Sequence, residues 1–449
     1  MYKILLASRY LIKRRISYLA FLAVALCVFI VIVVMTVMIG LVSDFKEKNH
    51  SFAGDCVVGT DSLVGFAYYA DFADEVAKLD FVESTSTVIN TYGLINRSGT
   101  DVSRGVQIFG IDPKSHSLAT GFGRTVHYHK DDISKVFVPA YDTNLPGCVL
   151  GIDMAMIRDL RGKYQFGQMP FNTKFSISCF PLTAKGALAK AGAGEINTKT
   201  FSYSDVSQSG LARIDSSLIY IPFEQAQLLC GMGGVDKRAS RIHIKFKSDV
   251  RLGTGTNKVG ALWRDYMRKN KDKAKANLFE TVTVQTWKEH RRSFVAAMEK
   301  EQTVLTVMFS LVGITTVFII FVVFYMIICH KSKDIGILKS IGVSNSGIIG
   351  LFSSFAVFLA SLGSCMGVFG GWLFLRKINS IEDWLFARFG FQMWDRSIYA
   401  IGDIPNQIEL RTVLVIIISA FAACLVGAIV PAWQGAKLRP VESLQVNQL

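Results

Sequence analysis

Four stretches of this 449-residue chain contain no Asp, Glu, Lys or Arg: 16–43, 302–330, 340–375 and 412–436. Each exceeds the ~20 apolar residues that a helix needs to cross the roughly 30 Å hydrocarbon core of a bilayer. Lipid offers no partner to a free backbone N–H or C=O, so each run is expected to cross as a helix. Composition agrees: 19% of residues are charged and 51% hydrophobic, against roughly 25% charged in soluble domains. Disorder and a single soluble globule are both excluded. The first run has 28 uncharged residues, where the apolar core of a signal peptide has about 7–15. No small-x-small pattern closes it, so it is expected to stay as an anchor.

The net charge of +14 matters for where it sits. Lys3, Arg9, Lys13, Arg14 and Arg15 precede the first span with no acid, and Lys331, Lys333 and Lys339 follow the second against Asp334 alone. The positive-inside rule makes both segments cytoplasmic, and the charge needs no nucleic-acid partner. The expected order is an N-terminus and first span (1–43), a large extracytoplasmic domain (44–301) ending in a helical stalk, and a second span (302–330). A cytoplasmic helix (331–346), third span (347–375), outer loop (376–411), fourth span (412–436) and cytoplasmic tail (437–449) complete it. The fold class is thus a membrane protein with four transmembrane α-helices and a large α+β outer domain.

In that domain, 72–79 and 223–229 have helical spacing, 106–111, 175–180 and 218–221 read as strands, and 150–160 reads as a helix. Small and polar residues dominate 181–203, the mark of a long loop or hairpin. Cys27, Cys329, Cys365 and Cys424 fall in or beside the spans, and Cys56, Cys148, Cys179 and Cys230 in the outer domain. In an oxidising compartment the latter allow two disulfides in any of three pairings; as thiols they pack as small hydrophobes.

From Gln285 to Cys329 there is no Pro and only Gly313, while Trp287, Phe294 and Met298 recur at helical spacing. One helix is expected, about 67 Å long at 1.5 Å per residue, standing out of the membrane as a stalk. Inside the membrane, Lys333-Asp334-Ile335-Gly336-Ile337-Leu338-Lys339-Ser340-Ile341-Gly342 places Ile335, Leu338 and Ile341 on one helical face. Such a helix suits the membrane surface or a partner's groove. Gly363, Gly367 and Gly371 form a GxxxGxxxG ladder for close helix packing. Catalytic signatures are missing: there is no GxxxxGK[ST], GxSxG or HExxH. His127-x-His129, with His116 nearby, has no third ligand in pattern, and the glycines at 231–234 and 253–255 read as turns. No enzyme, metal site or cofactor is expected in this chain.

Several segments carry a further signal. They are Ala7-Ser8-Arg9-Tyr10-Leu11 and Val34-Met35-Thr36-Val37-Met38 at the first span, Asp215-Ser216-Ser217-Leu218-Ile219-Tyr220-Ile221-Pro222, and Thr286-Trp287-Lys288-Glu289-His290. To these are added the segment 331–342, Ile398-Tyr399-Ala400-Ile401-Gly402-Asp403-Ile404-Pro405, and 431–442 from Pro431 to Glu442. Together they resemble the mechanically acting four-span ABC permeases, specifically the lipoprotein-releasing LolC/LolE group of the FtsX-like and MacB-like superfamily. The resemblance implies a MacB-type periplasmic domain and a bacterial inner-membrane location with both termini cytoplasmic. It implies a separate cytoplasmic ATPase, which holds ATP and Mg and docks on 333–342. It also implies a second permease copy or paralogue, lipoprotein cargo among membrane lipids, and a periplasmic lipoprotein chaperone. An efflux permease and a relay that activates an external hydrolase are the alternatives in the same superfamily.

Overall fold

The computed structural model describes residues 15–159, 162–167, 169–188, 196–233, 237–330, 332–391, 394 and 403–437. Outside the described residues lie Lys3, Arg9, Lys13, Arg14, the 7–11 segment, Lys331, residues 189–195 of the small-residue loop, and Gly234. So do 398–402 and the closing segment from Leu438. The described residues fall into two compact units, one from residues up to Ser43, Ala297–Trp394 and Asp403 onward, the other chiefly Asp44–Ala296.

The strands are β1 (Cys56–Gly59), β2 (Val82–Arg97), β3 (Ser103–Ile111), β4 (Gly147–Gly151), β5 (Lys174–Cys179), β6 (Asn197–Ser207), β7 (Leu218–Pro222), β8 (Arg241–Phe246) and β9 (Thr283–Thr286). The longer helices, with one short helix at 287, are α1 (Arg15–Ala53), α2 (Tyr69–Ala77), α3 (Phe223–Leu229), α4 (Leu252–Lys269), α5 (Trp287–His290), α6 (Arg292–His330), α7 (Ser332–Ser340), α8 (Asn345–Phe389) and α9 (Leu410–Lys437). The four long helices α1, α6, α8 and α9 are apolar enough to cross a membrane.

The outer unit is built on one nine-stranded sheet, ordered β9-β1-β8-β2-β3-β7-β4-β6-β5. The far half of β2 also pairs with β5, Gly93 opposite Cys179, which closes β2, β3, β7, β4, β6 and β5 into a ring. Both faces of these strands are covered. Ile108, Leu150, Ile219 and Ile221 enter one core, and Phe109, Val149, Leu218 and Tyr220, alternating with them, enter another. Double burial explains why the strands read as apolar runs and not as an alternation. A third core joins α2 and α4 through Phe72, whose ring centroid lies 4.7 Å from that of Trp263. Gly110 is required where α3 crosses the sheet: a Cβ there would stand 2.1 Å from that of Ala226.

Four expectations from sequence need correction. Residues 150–160 do not form a helix, because β4 extends to Gly151 and only Ile152–Ala155 turns helically before another extended pair at Ile157–Arg158. Gly253 and Gly255 are not in a turn; they begin α4, where Gly255 lets the Phe246 ring come close enough to leave a Cβ only 2.6 Å. The stalk helix is not continuous from Gln285. Residues 283–286 pair as a strand with β1, and the Trp287 N–H donates to Asp55 O at 3.1 Å. Thr286 and Glu289 form a capping box that starts α5. At Arg291 the backbone leaves helical geometry (φ −101°), while its Nε–H donates to Asn49 Oδ1 at 2.9 Å. Pairing partners override local helical preference here. Lastly, residues 376–389 of the expected outer loop are helical. The buried row Gly371, Leu375, Ile378 and Glu382 carries α8 on to Gly390, whose positive φ (64°) ends it.

The two histidines at 127 and 129 serve Asp205, a fully buried carboxylate. It accepts the N–H groups of His127, Tyr128, His129 and Val206 at 3.2, 2.9, 2.9 and 2.7 Å, and His129 Nδ1 lies 3.0 Å away. His116 is buried as well, against Ser86 Oγ at 3.1 Å, and its ring meets that of His243 edge-on at 5.7 Å. Burial lowers the His243 imidazole to about 4 and holds His116 well below its ordinary 6.5. Burial, with Arg241, His243 and Arg291 nearby, lowers His290 to about 2. Burial raises the Asp215 carboxyl to about 6.

Replacing Asp205 by Ala strands several buried N–H donors and is expected to destabilise the outer unit by about 3 kcal/mol or more, read as a drop in unfolding midpoint in urea. The depressed histidines bind protons less well folded than unfolded, so their stabilisation is complete above pH ~6.5 and is lost as pH falls. Asp215 opposes this between about 6 and 3.8, but three imidazoles outweigh one carboxyl. The protection factors of outer-unit amides, with the intrinsic slowing of exchange toward acid divided out, are therefore expected to fall from pH 7 to 4.5.

Candidate functional site

The segment α7 lies between α6 and α8 in the chain and is tied to α9 of the same unit. Lys339 Nζ donates to Ala436 O, in the last turn of α9, at 2.7 Å. Ile335 is buried, 2% exposed, and Gly336 is buried with it. The turn after α7 is closed by two backbone bonds, Val343 N–H to Leu338 O at 3.1 Å and Gly342 N–H to Lys339 O at 3.0 Å. That pair is a Schellman closure, and it needs the positive φ of Gly342 (97°). A side chain at 342 would be strained there whatever the space around it. The outward apolar residues are Ile337, 48% exposed, and Ile341, 76% exposed.

Thus the face expected from spacing is divided. Ile335 turns into the membrane unit, Leu338 is half-buried, and Ile341 faces out beyond the end of the helix. Lys333 is exposed, and Asp334 and Lys339 are half-buried. Ile337, which the spacing set aside, joins Ile341 outside. An α-helical wheel alone could not have found this, because the side to which α9 packs is a tertiary fact.

The glycine ladder of α8 packs within the chain. A Cβ on Gly363 would lie 2.8 Å from Val24, one on Gly367 2.7 Å from Ala25 O, and one on Gly371 3.2 Å from Ile32, all on α1. A second close contact escaped the motif search. Gly427 on α9 would meet Val317 O and Ile320 of α6 at 2.9 Å, and Gly435 would meet Ile328 at 2.7 Å. Ala423, Gly427, Pro431 and Gly435 repeat every four residues, but only the glycines match the usual motif. Of the expected stalk residues, Trp287 is anchored in the outer unit, 4% exposed and stacked on His50 at 5.0 Å. Phe294 belongs to α6 and carries the Arg291 guanidinium 4.3 Å over its ring; Met298 follows on α6, half-buried.

Between α1, α6 and α9 lies a cleft of about 740 Å3. Its walls are chiefly apolar, among them Val28, Val31, Met35, Phe309 and Val415, while Gln302, Glu409 and Arg411 contribute polar groups where α9 begins. A volume of this size suits an alkyl chain, and the polar end suits an ester or amide head. Among the described residues no cluster of three His, Cys, Asp or Glu side chains is placed to hold a metal.

Residues 306–440 match the family FtsX-like permease C-terminal, so the chain carries an FtsX-like permease domain. A lipoprotein-releasing system transmembrane protein LolC of Xylella fastidiosa is 24% identical over 249 residues, 55% of this chain and 55% of that protein. The chain thus spans about half the length of that relative. LolC of Neisseria meningitidis serogroup B is 22% identical over 454 aligned positions, 96% of each chain. The crystal structure of the periplasmic region of MacB from Actinobacillus actinomycetemcomitans aligns with 56% of this chain and 97% of that one, at 12% identity and TM-score 0.31.

Gly367→Leu is expected to force α8 from α1 and lower stability in detergent by about 1–3 kcal/mol or more. Gly370→Leu, whose nearest neighbour is Phe29 at 3.5 Å, is expected to be tolerated; a thermal aggregation assay compares the two.

Proposed function

We propose that this chain, with its FtsX-like permease domain, is the membrane subunit of an ABC transporter that releases lipoproteins from the bacterial inner membrane. A separate cytoplasmic ATPase, holding ATP and Mg, docks on α7, and a second permease copy or paralogue completes the pair. The outer unit is periplasmic, both termini are cytoplasmic, and a periplasmic chaperone receives the cargo. The chain itself contributes no catalytic group.

The observation that most supports this reading is the construction of α7. Its inner side is fixed to α9, and its outer side offers Ile337 and Ile341 with Lys333 to a partner. A push on that side passes into α9 without bending a loop, because the Gly342 closure leaves the turn little freedom. The end of α9 packs on α6 through Gly435, and α1, α6 and α9 line the apolar cleft. Narrowing such a cleft would expel an acyl chain held in it. The likeness to LolC along 96% of the Neisseria protein supports lipoprotein as the cargo over other amphiphiles.

The test is release of a labelled lipoprotein from liposomes holding this chain and its co-purified ATPase. The expected result is release that requires both ATP and a soluble lipid-binding chaperone. ATP turnover with no release would favour efflux or signal relay instead. Ile337→Glu and Ile341→Glu are expected to weaken ATPase co-purification about tenfold each, as central apolar contacts of an interface do. Ile335→Glu is expected to lower the yield of folded permease as well, since its side chain is buried within the chain.

A further inference from the structure

The outer unit contains four buried thiols, Cys56, Cys148, Cys179 and Cys230. The strand registers decide which of them can meet. Cys148 pairs with Tyr203 and Cys179 with Asn197 on the same strand β6. Six residues of strand separate those partners, about 20 Å at ~3.3 Å each, whereas a disulfide needs Cα atoms within about 7 Å. Cys56 faces Ile244, which faces Thr85 of β2, while Cys179 faces Gly93 of the same strand. Those positions are about 26 Å apart by the same rise. Cys56 moreover belongs to the core of Phe72 and Trp263, and Cys148 to the ring core.

Cys148 shares the ring core with Cys179 and Cys230, and of these three the structure brings Cys179 and Cys230 together. Cys179 ends β5, and Cys230 follows the last turn of α3. Asn197, the register partner of Cys179, donates its side-chain amide to Leu228 O at 3.3 Å and Leu229 O at 3.1 Å. The Leu182 N–H donates to Cys230 O at 3.1 Å. Both side chains lie in one core, and Cys230 is the neighbour that most raises the Cys179 thiol.

We propose that Cys179 and Cys230 form a disulfide in the mature protein, made by exchange with an oxidising protein disulfide while the outer unit folds. The two thiols give up two protons and two electrons, one S–S bond forms, and the donor disulfide leaves as a dithiol. The bond links the end of β5 to the end of α3 and fixes the point from which the segment after Cys179 departs. Cys56 and Cys148 stay reduced. Their burial pushes both thiols up to about 12. The neighbouring Cys230, together with burial, also raises Cys179. Few thiolates exist once the core has closed, so exchange belongs to folding, and the finished bond resists reduction.

This inference rests on the outer unit lying in an oxidising compartment, and the experiment separates the two claims. Cells are quenched in acid, free thiols are blocked with N-ethylmaleimide under denaturing conditions, and the full chain is digested without reductant for mass spectrometry. The expected result is a 179–230 linked peptide with Cys56 and Cys148 alkylated. In parallel the chain is synthesised into liposomes with oxidised glutathione. A link formed there but absent from cells overturns the placement in an oxidising compartment and leaves the pairing intact. No link in either overturns the pairing. As a second readout, Cys179→Ala is expected to lower the melting temperature by roughly 10 °C, as loss of a bridge closing a loop of this length would. Wild type folded in reductant should show the same loss, and the variant no further one. Additive losses would overturn the bond, because they would assign the effect to a cavity.

Discussion

Inside a bilayer, apolar surface gains nothing by leaving lipid, so helices are held together by close van der Waals approach at small residues. This chain depends on that constraint at two places. Gly363, Gly367 and Gly371 seat α8 on α1, and Gly427 and Gly435 seat α9 on α6. Each contact brings a backbone within reach of Val, Ile or a carbonyl, where a larger side chain has no room. Ala428, Ala432 and Ala436 on α9 are also almost fully buried. The consequence is a set of helices joined along their lengths, able to move as bodies more readily than to bend.

Attached to this set, α7 has one free side and one fixed side. Lys339 holds it to the end of α9, Ile335 fills the inner contact, and the left-handed Gly342 ends it abruptly. On the proposed reading, force applied at Ile337 and Ile341 would pass through α7 to α9, and the cleft shared by α1, α6 and α9 is the part of the membrane unit that such a movement would reshape. The outer unit meets a different constraint. Its sheet is covered on both faces, and its irregular segments are bound by buried polar groups, of which Asp205 is the clearest example.

Much of this was legible in the sequence because lipid imposes a signal that depends only on charge. Four uncharged runs located four helices, and the strands at 106–111 and 218–221 showed through their unbroken apolar character. What escaped had non-local causes. The end of α8 beyond residue 375 is charged yet helical, since Ile378 and Glu382 continue its buried row. The break at Arg291 comes from strand pairing with β1, more than two hundred residues away in sequence. The exposed apolar side of α7 lies about a quarter turn from the face that the spacing picks out, because periodicity reports that a helix has two sides, not which side a neighbour takes. Gly427 and Gly435 of α9 stand eight residues apart with Pro431 between them, so they make no GxxxG pattern to find. His127 and His129 sit together around Asp205, which lies on a strand nothing local predicts.

The central claim is that α7 presents Ile337 and Ile341 to an ATPase while Ile335 belongs to the permease. Photo-crosslinking amino acids placed singly at 335, 337 and 341 in the co-expressed complex test it directly. The account predicts adducts with the ATPase from 337 and 341, and an intrachain product or none from 335. Adducts from 335 with none from 337 or 341 would contradict it.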